Sequence, residues 1–182
     1  CIPAAIIGIK FDDYIEEHFY NYFVISLALI IFGILFIIIE NRNKESHKKL
    51  VDSIDKITYK QAFIVGLFQV IAAVFPGTSR SGATILGGIA IGLSRTIAAE
   101  FTFFLAIPTM FGASLLKLVK FGFSFTAMEA FVLLLGTAVS FIVSVITIKF
   151  LMNYIKNNDF KVFGYYRIAL GVLVLIYFGL IR

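Results

Sequence analysis

Hydrophobic residues along this chain gather into runs separated by short polar segments, and the run lengths fall into two classes. Four runs are long enough to cross a bilayer: Tyr20 to Ile39, Thr96 to Val119, Ala127 to Ile148 and Val162 to Ile181, each at least 20 residues. That is the length a helix needs to traverse a hydrocarbon core about 30 Å thick. Two other runs are too short. As helices, Gln61 to Phe75 would reach roughly 22 Å and Ala83 to Leu93 roughly 16 Å, and they flank the polar, cationic loop Pro76-Gly77-Thr78-Ser79-Arg80-Ser81-Gly82. The pattern predicts a re-entrant helix-loop-helix hairpin over residues 61–93, with its tip near mid-membrane. Irregular backbone at that depth is tolerated only where protein buries it or a water-filled cavity wets it.

The N-terminal Cys1 to Ile9 is an apolar tail followed by the polar segment Lys10 to His18. It is read as the end of a helix that starts upstream, so the chain is expected to be a fragment, a single membrane domain over residues 1–182. No signal peptide is visible, because the apolar tail is short and lacks a basic leading region.

Composition agrees with the run pattern. The 182 residues are 60% hydrophobic and 15% charged, with 21 Phe and a mean hydropathy of +0.96, which excludes an ordinary soluble domain. The single Cys permits no internal disulfide. The net charge of +5 reads as a topology signal rather than a nucleic-acid patch. If the hairpin returns to the side it entered, the segments Glu40 to Lys60, Ser94 to Arg95 and Lys149 to Lys161 share one face, with ten of the 16 Lys and Arg; the opposite face has four. That bias puts the basic face in the cytoplasm. Reading Gln61 to Leu93 as one broken crossing would give a flatter split of nine and five. The expected class is an all-α, multi-pass integral membrane protein with about four full transmembrane helices plus one re-entrant hairpin.

Helix-start signals fit this layout. Thr58 with Gln61 and Thr126 with Glu129 have capping-box spacing, so Glu129 is structural. Ser79 or Ser81 could cap the second hairpin leg, and Gly88-Ile89-Ala90-Ile91-Gly92 gives that leg a small-xxx-small face.

The loop has the chemistry of an anion cradle. Arg80 offers a planar fork of donors matched to phosphate oxygens, and Thr78, Ser79 and Ser81 can donate hydroxyl hydrogen bonds. The second leg begins at the loop, so free backbone N–H groups and the positive end of a helix dipole face the same point. Gly77 and Gly82 let backbone approach an oxyanion closely. Loop composition alone leaves phosphate, carboxylate and sulfate open, as well as a structural pairing of Arg80 with an acidic neighbour.

The run Tyr59-Lys60-Gln61-Ala62-Phe63 through Gly66, Gln69 and Pro76 to Thr84, continued by Ser94-Arg95, Ala99-Glu100-Phe101, Leu105-Ala106-Ile107-Pro108 and Gly112-Ala113, resembles the second signature of the bacterial undecaprenyl-diphosphate phosphatases, also called bacitracin-resistance proteins. The resemblance implies a hydrolase of the bacterial plasma membrane that removes the terminal phosphate of undecaprenyl diphosphate and recycles the carrier for cell-wall synthesis. It implies the second half of an inverted-repeat fold whose two hairpin tips meet, assistance by a divalent cation, magnesium or calcium, and competition by bacitracin for the substrate. On the matched positions Arg80, Ser79 and Ser81 are the catalytic candidates. Thr78, Gly77, Gly82, Gln69 and Glu100 are the substrate-binding ones, and no residue of this chain is assigned to a metal.

The family's first signature, a glutamate-rich stretch followed by Pro-x-Ser-Ser-x-Gly-His, has no match here. His18 and His47 lie in polar segments and read as surface histidines, so this stretch by itself is expected to be inactive. Gln69 could line the pocket or make an interhelical hydrogen bond. Glu100 is expected close enough to pair with Arg80 or Arg95, and Arg167 to snorkel to the cytoplasmic headgroups. A transporter or flippase of polyprenyl phosphate, built on half-helix ends aimed at an anion, is the alternative function.

Overall fold

The computed structural model describes residues 1–45, 50–122 and 125–180, with the side chains of residues 12, 44 and 45 also left aside. The described residues form helices α1 (Ile2–Phe19), α2 (Tyr22–Glu45), α3 (Tyr59–Val74), α4 (Arg80–Ala90), α5 (Arg95–Phe121), α6 (Ala127–Asn157) and α7 (Lys161–Leu180), with a short 3₁₀ turn at Ile54–Lys56. Four of them, α2, α5, α6 and α7, are long and apolar enough to span a membrane. The protein is an all-α, multi-pass integral membrane protein.

The four spans coincide with the four long runs, but their ends differ. α2 continues past Ile39 to Glu45, and α6 runs to Asn157, so most of the expected loop from Lys149 is helix. At 31 residues α6 reaches roughly 46 Å and outruns the hydrocarbon core. α1 passes unbroken through the polar Lys10 to His18 segment. Both capping boxes form: Thr58 with Gln61 starts α3, and Thr126 with Glu129 starts α6.

α3 and α4, of 16 and 11 residues, make the hairpin. They pack so closely that a Cβ on Gly87 would lie 2.5 Å from the Phe68 ring. Gly88 meets Ala98 of α5 in the same way, at 3.0 Å. Gly92 does not share that packing face. Its φ of 94° with open space around it marks it as a turn residue ending the leg.

The hairpin returns to the end it left. Val51, after α2, bridges Leu93, with Val51 N–H to Gly92 O at 2.9 Å and Ser94 N–H to Val51 O at 2.9 Å. Glu40, fully buried, accepts three hydrogen bonds from Arg95 at 2.6 to 3.0 Å and a longer one from the Phe160 N–H at 3.4 Å. One carboxylate thus joins the end of α2, the start of α5 and the α6–α7 turn. These contacts gather the three basic segments at a single end, the end that the Lys and Arg bias assigns to the cytoplasm.

α2 and α7 lie side by side and antiparallel because glycines let their backbones touch. A Cβ on Gly164 would sit 2.8 Å from Gly33 O, and one on Gly171 would sit 2.8 Å from Ser26 O. This is close small-residue packing of the kind that holds membrane helices together. Phe36 against Phe160 and Tyr22 against Phe178, with centroids 5.9 and 5.4 Å apart, flank the seam.

The hairpin tip rests on this pair. Gly77, with φ 92°, is pressed against Ile25, where a Cβ would meet Ile25 O at 2.6 Å, and Phe75 meets Phe19 edge-on at the end of α1. Ile25 lies within the first turn of α2 and roughly 22 Å along that helix from Glu40. The tip therefore lies well beyond the middle of α2, toward the end opposite Glu40, as the longer leg α3 requires.

Candidate functional site

α4 begins at Arg80, three residues before the apolar run that starts at Ala83, which places Arg80 and Ser81 in its first turn. Ser79 is the N-cap, and its Oγ accepts the Gly82 N–H at 3.3 Å. Its own backbone has φ 63°, a region that costs a non-glycine residue of order 1–3 kcal/mol and is held only where the surroundings impose it. The backbone N–H groups of Ser79, Arg80 and Ser81 have no hydrogen-bond partner among the described residues. Three such donors at a helix N-terminus, with the dipole behind them, are an arrangement that suits an anion.

Side chains complete it. Ser79 and Ser81 are exposed at the tip with their hydroxyls 3.4 Å apart. Arg80 is half-buried, and its guanidinium has no hydrogen-bond or ion-pair partner among the described residues. A partly buried arginine with unused donors beside free N–H groups suits an oxyanion and is matched by no group present in the loop. The alternative of a structural pairing of Arg80 with an acidic neighbour does not occur among the described residues.

The remaining candidates take different places. Thr78 is buried, and its hydroxyl donates to Phe75 O at 2.8 Å, so it folds the loop from within rather than facing outward. Gly77 is the contact with α2, and Gly82 lies where an added Cβ would be 3.1 Å from Arg167 Nη1. Gln69 sits lower on α3, buried, donating from Nε2 to Thr109 Oγ1 of α5 at 3.3 Å; its Oε1 is buried without a partner. Of its two expected roles, the interhelical bond is present. Glu100 pairs with neither arginine, since Arg95 is held by Glu40, a partner the hydropathy pattern had assigned to the edge of the basic loop. His18 is at the surface, stacked on Tyr14 at 4.2 Å, and His47 lies outside the described residues.

The largest difference concerns Arg167. It does not snorkel to headgroups: it is 9% exposed, and its Nη2 donates to Gly77 O and Thr78 O, both at 2.6 Å. Below the tip, Thr102 of α5 donates to Thr84 Oγ1 at 3.0 Å, and Thr84 donates back to the carbonyls of the first α4 turn. Thr84 was in plain sight in the motif, but its partner was not.

The family model described as bacitracin resistance protein BacA matches residues 1–173. The chain is 65% identical over 179 residues to an undecaprenyl-diphosphatase of Desulfitobacterium hafniense, covering 98% of this chain and 64% of that one. It is 64% identical over 178 residues to undecaprenyl-diphosphatase 1 of Clostridium acetobutylicum, covering 98% and 65%. With an undecaprenyl-diphosphatase of Acetivibrio thermocellus the identity is 60% over 181 residues, covering 100% and 66%. The chain therefore spans slightly less than two thirds of the length of these relatives. On the family match, the identities and the membrane helices together, the chain belongs to the bacitracin resistance protein BacA family.

Proposed function

We propose that this chain supplies the phosphate-gripping part of a bacterial plasma-membrane phosphatase that hydrolyses undecaprenyl diphosphate to undecaprenyl phosphate and inorganic phosphate, recycling the lipid carrier for cell-wall synthesis. The observation that supports this reading is the set of donors without a partner among the described residues at the hairpin tip, the Arg80 guanidinium and three backbone N–H groups, beside the mutually hydrogen-bonded hydroxyls of Ser79 and Ser81. The net reaction adds water across the anhydride: its oxygen ends on the terminal phosphorus, the bridging P–O bond breaks with its electron pair left on the lipid phosphate, and the displaced proton passes to a product phosphate or to solvent. Charge grows on the oxygens of the transferred group and of the leaving phosphate. Fixed donors already aimed at those oxygens stabilise that charge without reorganising.

In this reading Arg80 spans two phosphate oxygens, Ser79 and Ser81 add donors from hydroxyl and N–H, and Gly82 lets the first turn of α4 close on the phosphate. Gln69 and Glu100 lie deeper on α3 and α5 and border the route of the lipid. The exposed tip, beyond the middle of α2, suits a diphosphate arriving from the outer face. Bacitracin, by binding the same diphosphate, would compete with the protein for it. A divalent cation is part of the same reading, but the tip offers it no carboxylate or imidazole. Its donors fit an anion, so the roles given to Arg80, Ser79 and Ser81 do not pass through a metal.

The test is phosphate release from undecaprenyl diphosphate by the intact protein in detergent, where vectorial transport has no meaning. Release that depends on Arg80 supports the hydrolase. Tight diphosphate binding without release would favour the polyprenyl-phosphate transporter, whose half-helix geometry is similar.

A further inference from the structure

We infer that Arg167 is a positioning residue for the anion cradle: from α7 it holds the two carbonyls that precede Ser79, and so fixes the direction of the free N–H groups at the hairpin tip. The inference rests on the proposed diphosphate-binding role of that tip.

Three observations support it. First, one Nη2 donates to both Gly77 O and Thr78 O at 2.6 Å, short charge-assisted bonds of the stronger kind. In a trans peptide the carbonyl and the next N–H point in opposite directions. Tying Thr78 O down toward α7 therefore turns the Ser79 N–H away from Arg167, toward the exposed side of the loop. Second, the bonded carbonyls flank the backbone that needs support. Gly77 has φ 92° and Ser79 φ 63°, and a strained Ser79 persists only while its neighbours hold it. Third, Arg167 occupies a place no lipid anchor would choose. It is nine-tenths buried, its Nε has no hydrogen-bond partner, and its Nη1 lies just under Gly82, in the first turn of α4. A buried cation that uses its hydrogens on loop carbonyls also polarises those peptides, which strengthens the N–H donors on their far side.

Arg167 touches no substrate atom in this arrangement. It acts through the loop, by holding the backbone whose N–H groups would meet the ligand. Removing it would leave Arg80 and the hydroxyls in place but free the tip to relax toward ordinary backbone angles.

The experiment compares the full-length protein in detergent with its Arg167→Ala, Arg167→Lys and Gly164→Ala variants. Binding of inorganic pyrophosphate is measured by calorimetry, phosphate release from undecaprenyl diphosphate is measured separately, and thermal melting is recorded for each protein. Arg167→Ala is expected to weaken pyrophosphate binding at least about tenfold and to lower kcat by a similar factor. Arg167→Lys, whose ammonium can still reach the carbonyls, should recover part of both while remaining at least about threefold weaker than the parent. Gly164→Ala disturbs the same helix by packing alone and should lower the melting temperature while leaving pyrophosphate affinity unchanged.

Pyrophosphate affinity within about twofold of the parent in both Arg167 variants overturns the inference, and so does an equal loss in Gly164→Ala. If Arg167→Ala does not fold, Arg167→Lys decides by the same criterion. A parent that binds pyrophosphate but releases no phosphate from the lipid would refute the hydrolase reading and leave the positioning role standing on the binding data. A parent that binds no pyrophosphate would overturn both.

Discussion

Removing Arg95 should destabilise the protein more than neutralising its partner, because the two ends of the ion pair are unequally buried. Glu40 has 1% of its side chain exposed and Arg95 has 28%. In Arg95→Ala the carboxylate stays buried while losing all three arginine hydrogen bonds, keeping only the Phe160 N–H at 3.4 Å. Breaking a buried pair from one side costs about 3–5 kcal/mol, and the partial exposure of Arg95 places this pair near the lower end. A chain of this size loses about 2–4 °C of melting temperature per kcal/mol, so a loss of about 3 kcal/mol lowers it by roughly 6–12 °C. Glu40→Gln keeps an acceptor for Arg95 and loses only charge assistance, about 1 kcal/mol. The assay is thermal unfolding of the full-length variants in one detergent at one salt concentration. Arg95→Ala melting within about 2 °C of the parent, or Glu40→Gln melting below Arg95→Ala, would refute the view that this carboxylate fastens the base of the hairpin.

Other expectations follow from the packing and the topology. Gly171→Val should lower the melting temperature by an amount matching about 1–3 kcal/mol of overpacking, since its Cβ would meet Ser26 O at 2.8 Å, whereas Gly136→Ala, with nothing within 4 Å, should be tolerated. Gly77→Ala, strained at φ 92° and 2.6 Å from Ile25 O, should cost activity as well as stability, because it moves the tip; activity of a folded Gly77→Ala protein within twofold of the parent contradicts that. With Cys1 replaced, Ser81→Cys should react with an impermeant thiol reagent added outside and Tyr59→Cys, at 97% exposure, only from inside. Labelling of Ser81→Cys solely from the cytoplasmic side would reject the outer access route.

What the sequence made legible follows from the range of the interactions concerned. Spans of 20 or more apolar residues announce themselves through hydropathy, and the capping boxes at Thr58 and Thr126 are local signals three residues long. The grouping of Ser79, Arg80 and Ser81 at one helix start was legible for the same reason, since they are neighbours in the chain. Ser79, one of the two caps expected for the second leg, does start α4, and the apolar run begins three residues later at Ala83 because the first turn of the helix is polar. Glu40 ended the hydropathy run and so looked like the edge of a loop, while the partner that makes its burial tolerable lies 55 residues on. Arg167 looked like a headgroup anchor, since no local pattern reveals carbonyls 89 and 90 residues earlier in the chain. Gly92 sat in a small-xxx-small pattern but is used for its positive φ, and nothing in the spacing separates the two uses.

The most direct test of the central claim is turnover of undecaprenyl diphosphate by the full-length protein carrying Arg80→Ala or Arg80→Lys. A guanidinium spanning two phosphate oxygens cannot be replaced by a point-charge ammonium, so both variants should fold, melt near the parent and lose at least about a hundredfold in kcat. Phosphate release by a folded Arg80→Ala protein within a few fold of the parent would contradict the account.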